Sequence, residues 1–408
     1  MKPAELRALI GLGWPELNAT RRRLARCHDI ADMRAIARRR IPRMVFDYVD
    51  GGADDEVTLE RNLEAFRRWE FVPRNLEDVS GTDTSLTLFG HRLPAPLVFS
   101  ATGYTRMIDP VGEVGVARAA GRAGIPYVLS TVASTSIEDL AGSGHPNLWF
   151  QLYIWRDRRL VHELVDRAYA SGYRVLEVSV DVPVSGNRAR DVRNGLTIPP
   201  RLTLRALADV ARRPGWWMRM LQAPAVTFAN APPAVGVGRG ITIENMTAQF
   251  DPSVDWNDLE EIRRRWPATM VLKGAIGPDD ARRAVESGVD GIHLSNHGGR
   301  QLDRTVPPVE LLPDVRAAVG HDVPIIVDSG IRHGADLAIA IALGADAGAV
   351  GRAYLYGLMA AGESGVDRAA ELLMTQFKRT AQLLGVRSID ELRALAPELL
   401  RRRRELVD

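Results

Sequence analysis

A histidine, two glycines and an arginine follow directly on the apolar run Gly291-Ile292-His293-Leu294 in the stretch SNHGGRQLD, residues 295–303. A packed core has no use for that cluster. A lone histidine is commonly structural, but an imidazole takes up and releases protons near neutral pH, and an arginine fork matches a carboxylate. Asp181 ends another apolar run, VLEVSVD. With Asp181 to orient and charge the imidazole and Arg300 to anchor an acid group, His297 suits proton abstraction from a carboxylate-bearing substrate.

Two further features could carry chemistry. Lysine occurs only at Lys2, Lys273 and Lys378, in a chain with 53 basic residues. Lys273 closes the run TMVLK, where a compact point charge would serve either a Schiff base or the stabilisation of an anion. An exposed loop lysine is the bland alternative. The sequences DSGIR (328–332) and GR (351–352) put Gly330 and Gly351 where the chain turns from an apolar run into a helix. Both could be simple tight turns. With Arg332 and Arg352 close by, they also read as a phosphate site, because backbone N–H groups at a helix start favour an anion.

These residues need a scaffold that brings distant segments to one face. Eight short apolar, β-branched runs supply it: 96–101, 126–131, 148–154, 174–182, 269–275, 291–296, 324–330 and 347–353. Helix-like stretches such as GEVGVARAAGRAG, PDDARRAVESG and GADLAIAIALGA separate most of them. Continuous apolar strands alternating with helices imply a parallel sheet covered by helices, and eight such units predict an α/β fold, a (β/α)8 TIM barrel. In that fold the active site lies at the C-terminal ends of the strands. Those ends carry Ser100-Ala101-Thr102-Gly103, Ser130-Thr131, Gln151 with Tyr153, and Ser179 with Asp181. They continue with Lys273, His297 with Arg300, Asp328 to Arg332, and Gly351-Arg352.

Residues 1–95 read as an N-terminal helical cap of the same domain, with helices near 29–40 and 42–67 and a connection to the first strand. The barrel spans 96–390, interrupted after strand four by an insertion over 183–268, and a charged tail covers 391–408. Long insertions of this kind serve as lids, binding loops or disordered segments. Trp216, Trp217, Met218, Met220 and Leu221 lie beside Arg212, Arg213 and Arg219, so residues 208–240 could touch a membrane surface, a subunit or the barrel itself.

The chain has 408 residues, 46% hydrophobic and 25% charged, with net charge +2. That composition is globular and gives no sign of nucleic-acid binding. The single cysteine, Cys27, excludes an internal disulfide, and no Cys/His spacing suits a metal. The N-terminus lacks the apolar core of a signal peptide and no run reaches membrane-span length, so a cytoplasmic location is expected, with peripheral membrane contact an option.

Taken together, PRMVFDYVDGGADDE, FQLY, VDVP, VLKG, SNHGGRQLD, DSGIRHGAD and GRAYLYG resemble the FMN-dependent 2-hydroxy-acid dehydrogenase and oxidase family. The likeness runs in collinear order over about residues 30–390; the family includes glycolate oxidase and membrane-associated L-lactate and mandelate dehydrogenases. The resemblance implies FMN as cofactor and oxidation of a 2-hydroxy acid to the 2-oxo acid. It implies His297 as the base, Asp181 as its partner, and Arg300 and Arg188 with Tyr48 as the carboxylate site. Tyr153 would bond the reacting hydroxyl, and Lys273 would sit at flavin N1 and O2. Gln151, Ser179 and Ser130 would bind the isoalloxazine, and Ala101, Thr102 and Gly103 would line its N5 side. Asp328, Gly330, Arg332, Gly351 and Arg352 complete the cofactor set, the last four at the phosphate. A homotetramer and an electron acceptor that is oxygen, a quinone or a redox protein are further implications.

Departures from the family pattern bear on the substrate. Val132 replaces a frequent tryptophan, Asn187 an arginine, Ala101 a proline and Gly103 an alanine of many oxidases. ATGYTR, STVAST and FDPSV are similar to actinobacterial members, including the flavin dehydrogenase of mycofactocin maturation, which acts on an amine-bearing, peptide-derived ring. Two other classes compete: a lysine-dependent aldolase built on Lys273, and a non-catalytic module that docks through 208–240.

Overall fold

The eight apolar runs all become strands, and they close on one another. In the computed structural model, which describes residues 16–195, 203–230 and 248–403, Leu97–Phe99, Tyr127–Ser130, Leu148–Tyr153, Val175–Ser179, Thr269–Gly274, Gly291–Leu294, Ile325–Val327 and Ala347–Val350 form a closed barrel. Every neighbouring pair is parallel, including the closure of the eighth strand on the first through Gly348↔Leu97. The helix-like stretches named above become Gly112–Ala123, Pro278–Glu286 and Gly334–Ala342.

The barrel interior divides by chemistry. Its lower part is a dry cluster of Val98, Val128, Trp149, Val175, Val271, Ile326 and Ala347. Two residues further along six of these strands the inward positions turn polar, Ser100, Ser130, Gln151, Glu177, Lys273 and Asp328, all buried, while Ala349 on the eighth stays apolar. A side-chain period of two along each strand keeps both sets on the inner face. The N-terminal end is stoppered by the hairpin Leu86–Leu88/His91–Leu93, whose Phe89 meets Trp149 edge to face at 5.5 Å. That hairpin lies in what the sequence reads only as a connection. Its turn residues Phe89 and Gly90 both have positive φ, as a tight two-residue hairpin turn requires.

The described N-terminal region opens with a short helix outside the sequence reading, Ala19–Leu24; Ile30–Arg40 follows as expected, but the single helix expected over 42–67 is two, Arg43–Asp50 and Val57–Arg67. The break falls at Gly51-Gly52, where side chains would collide: a Cβ on Gly52 would lie 2.9 Å from the Gly299 carbonyl. The break lets these helices grip the barrel mouth. Ala53 N–H donates to Gly299 O, and the carboxylate of Asp303 accepts from Thr58 N–H at 2.7 Å.

Two other boundaries differ from the sequence reading. Trp256–Arg265, inside the expected insertion, is the ordinary barrel helix before strand five and packs on Arg158–Ala170. Residues 391–403 do not trail away as a charged tail. After the short helices Ile389–Ala394 and Ala396–Leu399, Leu400–Arg402 pairs antiparallel with Trp69–Phe71. Charge misled there because Arg401 and Glu70 face each other across that ribbon.

Candidate active site

The chain after strand six turns through three left-handed residues, His297 (φ 54°), Gly298 (64°) and Gly299 (75°). A left-handed histidine is strained, and such strain persists only where surroundings enforce it. Here Asn296 and Asn62 exchange reciprocal amide bonds at 2.8 and 2.9 Å, fully buried, and Gly299 N–H donates to Asn296 Oδ1. A Cβ on Gly299 would lie 2.7 Å from the Leu59 nitrogen, so the turn admits only glycine.

This turn aims the imidazole across the barrel mouth. His297 Nδ1 donates to Asp181 Oδ2 at 2.7 Å, which leaves Nε2 to face the Tyr153 hydroxyl at 3.1 Å. Burial, and then the nearby Asp181 charge, push the Tyr153 pKa well up, so its hydroxyl stays a donor. Nε2 is thus the basic nitrogen, and Asp181 stands where it stabilises the cation formed on protonation. Asp181 sits behind the imidazole and not on the cavity wall.

Beside the imidazole, two guanidiniums stand over the Tyr48 ring, Arg300 at 4.9 Å and Arg188 at 5.4 Å from its centroid. Arg300 donates to the carbonyls of Tyr48 and Gly51, while Arg188 pairs with Asp191 at 3.3 Å. Among the described residues Arg300 has no carboxylate within ion-pair distance. Burial, with Arg188 next, pulls its pKa below the ordinary arginine value. Two half-buried cations facing one cavity leave a place for an anion.

A second cationic region lies across the same cavity, at strands seven and eight. Arg352 is buried, and burial pulls its pKa down to about 9. Its guanidinium donates to the carbonyls of Val49, Gly298 and Gly51, each at 2.7 Å. Three of its five N–H groups are therefore engaged in tying the cap to the mouth, a role absent from the sequence reading. Arg332 gives one N–H to its neighbour's carbonyl. Gly330 has φ 123°, and a Cβ there would lie 2.2 Å from the Asn62 carbonyl. The turns feed helices Gly334–Ala342 and Arg352–Ala361, whose N-termini favour an anion. A buried arginine, a second arginine and two helix starts fit a phosphate. Arg332→Ala is expected to weaken FMN retention about tenfold or more, the scale of one hydrogen bond to a charged group, read by equilibrium dialysis of flavin.

Between the two cationic regions runs a polar band. Ser130 Oγ donates to Gln151 Oε1, and Gln151 Nε2 donates to Ser179 Oγ, both at 3.0 Å. Ser130 reaches the cavity; Gln151 and Ser179 lie behind it. Lys273 Nζ donates to Asp328 Oδ2 at 2.8 Å, both on the wall. An ammonium held by a buried carboxylate serves a negatively charged neighbour better than Schiff-base chemistry, which needs a free amine. Ala101, Thr102, Gly103, Gly330 and Gly351 complete the expected lining.

Of the remaining wall only Val132 was anticipated as bearing on the substrate. Tyr104, Val132, Phe228 and Phe250 line the cavity as an apolar face, with Phe228 tilted against Tyr104 at 4.4 Å and Phe250 edge-on to Tyr153 at 5.3 Å. Both phenylalanines come from the insertion, Phe250 held by the bridge Trp155↔Phe250. The loops that carry Thr102–Thr105 and Val132–Thr135 are joined by Glu113, a fully buried carboxylate accepting from Thr105, Ser134 and Thr135. No spacing in the sequence marks Glu113, because its partners lie on other loops.

An aspartate-backed histidine and two cationic regions at the mouth of a barrel suit a flavin oxidoreductase of the barrel type. The chain belongs to the FMN-dependent dehydrogenase family, whose pattern matches residues 37–401. It is 47% identical over 392 residues to a Mycobacterium tuberculosis protein provisionally named an L-lactate dehydrogenase, covering 95% of this chain and 93% of that one. It is 38% identical to (S)-mandelate dehydrogenase of Pseudomonas putida, covering 91% and 93%. A crystal structure of (S)-mandelate dehydrogenase, described as a monotopic membrane protein, superposes with a TM-score of 0.87 at 38% identity, covering 92% of this chain and 99% of that one. The protein is an FMN-dependent oxidoreductase.

Proposed function

We propose that the protein oxidises a 2-hydroxy acid with an apolar side chain to the 2-oxo acid. The observation that carries this reading is His297 Nε2, set 3.1 Å from the Tyr153 hydroxyl and backed by Asp181, beside the arginine pair that stands over Tyr48. Arg188 and Arg300 bind the substrate carboxylate with Tyr48. Tyr153 fixes the hydroxyl, and His297 takes a proton from the carbinol unit as it loses two electrons. Bound FMN would supply the acceptor for the electron pair and the second hydrogen. Lys273 would place a positive charge against the part of the cofactor that gains negative charge, and Ser130, backed by Gln151 and Ser179, would hold it from the barrel side. Arg332, Arg352, Gly330 and Gly351 would take its phosphate.

The apolar wall of Tyr104, Val132, Phe228 and Phe250 supports a larger substrate than lactate. An amine-bearing ring, the mycofactocin-type alternative, gains no support from an arginine pair suited to carboxylate. Anaerobic bleaching of the flavin with a panel running from lactate to mandelate, plus cyclic amines, tests this. Bulky 2-hydroxy acids should bleach it fastest; bleaching by amines alone would overturn the reading.

A second surface supports peripheral membrane contact. Helices Leu204–Ala211 and Pro214–Leu221 leave Leu204, Leu207, Met218 and Leu221 exposed, the last at 76%. Trp216 instead turns inward, its indole donating to the Ile108 carbonyl, and Arg219 pairs with Asp109 at 2.7 Å. Residues 231–240 of the expected segment lie outside the described residues. No helix among the described residues is long and apolar enough to cross a membrane. Changing Leu204, Leu207, Met218 and Leu221 to serine should cut flotation with anionic vesicles severalfold; unchanged flotation removes this surface from consideration.

A further inference from the structure

Behind the Lys273–Asp328 pair stand two ionisable side chains that the mechanism above does not use. His293 and Glu177 are both fully buried, on strands six and four. His293 Nε2 lies 3.2 Å from Asp328 Oδ2 and 3.2 Å from Lys273 Nζ, while Nδ1 lies 2.9 Å from Glu177 Oε1. Glu177 Oε2 is buried with no hydrogen-bond partner among the described residues. Lys273 and Asp328 line the cavity and the other two do not. The order from the cavity inward is therefore Lys273 and Asp328, then His293, then Glu177.

We infer that His293 is a buried cation held by Glu177 behind Lys273, and that the pair are positioning residues which raise the reduction potential of the bound flavin. The inference rests on the reading that places Lys273 against FMN. Asp328 alone would neutralise Lys273, since its Oδ2 is 2.8 Å from Nζ. His293 shares that same oxygen, so part of the Asp328 charge is drawn away from Lys273. With both carboxylates ionised and both bases protonated the quartet is neutral, with its cations on the cavity side of Glu177. Burial and Lys273 oppose protonation of His293, but Glu177 and Asp328 outweigh them and its pKa is raised. A positive charge beside the reduced, anionic form of a bound group stabilises that form most in a site closed to water. A carboxylate so deep has no other evident use, because unpaired buried charge is strongly unfavourable.

The test is the midpoint potential of FMN bound to the whole protein, measured by dye equilibration for wild type, His293→Gln and the double variant Glu177→Leu/His293→Leu. Glutamine keeps a hydrogen-bonding group between the two carboxylates but carries no charge. The double variant replaces the buried pair with apolar groups of similar bulk, an exchange that folded proteins commonly tolerate. Both variants should bind FMN stoichiometrically and show a lower potential, by about 30 mV for each tenfold loss in preference for the reduced two-electron form. An unchanged or raised potential in flavin-loaded variants would overturn the inference, whatever happened to stability. Absence of FMN from the wild-type protein would instead overturn the cofactor placement on which it rests.

Discussion

His297→Ala should lower substrate-driven flavin reduction by about 10²–10⁴-fold, the usual contribution of a general base, while FMN stays bound. The groups assigned to the cofactor lie on other strand ends: Lys273, Ser130, Gly330 with Arg332, and Gly351 with Arg352. None of them bonds the imidazole; its ring contacts are Asp181 and Tyr153. The backbone of residue 297 is a different matter, because its left-handed turn places Gly298, whose carbonyl accepts from Arg352. Alanine at 297 keeps the Cβ and the chain direction, so Arg352 keeps its anchor. Asp181→Asn should give a smaller loss. Asn can hold the ring but no longer stabilises its cation. Single-turnover bleaching with a saturating substrate reads both effects. A wild-type rate in His297→Ala would remove the base assignment, and loss of FMN would move His297 to the cofactor site.

Much of this site was legible because the barrel sorts residues by position along a strand. Asp181, Lys273, His297 and Asp328 each sit at or just beyond the C-terminal end of an apolar run, and a parallel barrel brings those ends to one face whatever their separation in sequence. The register shows it directly: Tyr153 pairs with Ser179, Ser179 with Lys273, and Lys273 with His293. His293, however, reads as one more member of an apolar strand, and Glu177 as an interruption of another. Their pairing needs the barrel closed, and a period of two says only that both point inward. Arg352 was legible as a cation near phosphate, but its hold on Val49, Gly51 and Gly298 depends on the break between Arg43–Asp50 and Val57–Arg67. Gly51-Gly52 could have signalled that break. The apolar cavity wall was hidden for another reason. Phe228 and Phe250 stand in an irregular insertion, where no periodicity tells which side chains turn toward the barrel.

Arg300→Lys should raise KM for a 2-hydroxy acid about ten- to a hundredfold, corresponding to the roughly 1.5–3 kcal/mol of a hydrogen bond to a charged group. Lysine keeps the charge and loses the planar fork, so the loss isolates geometry from electrostatics. Two features make the site sensitive to that change. Arg300 is stacked on Tyr48 and fixed by the Tyr48 and Gly51 carbonyls, so its fork is preorganised. Arg188 stands over the same ring, and its charge opposes that of Arg300 until an anion binds beside them. Arg188→Lys should therefore raise KM as well, and the double variant should lose less than the two single effects combined. The effect must depend on the substrate carboxylate. A 2-hydroxy amide of the same side chain should bind wild type weakly and lose little more in Arg300→Lys. Because Arg300 also braces the cap, thermal unfolding and FMN content are measured alongside KM, to separate a loosened Tyr48 from a lost carboxylate contact. If the acid and the amide lost equally, Arg300 would be a brace for the cap and not the anchor of the substrate.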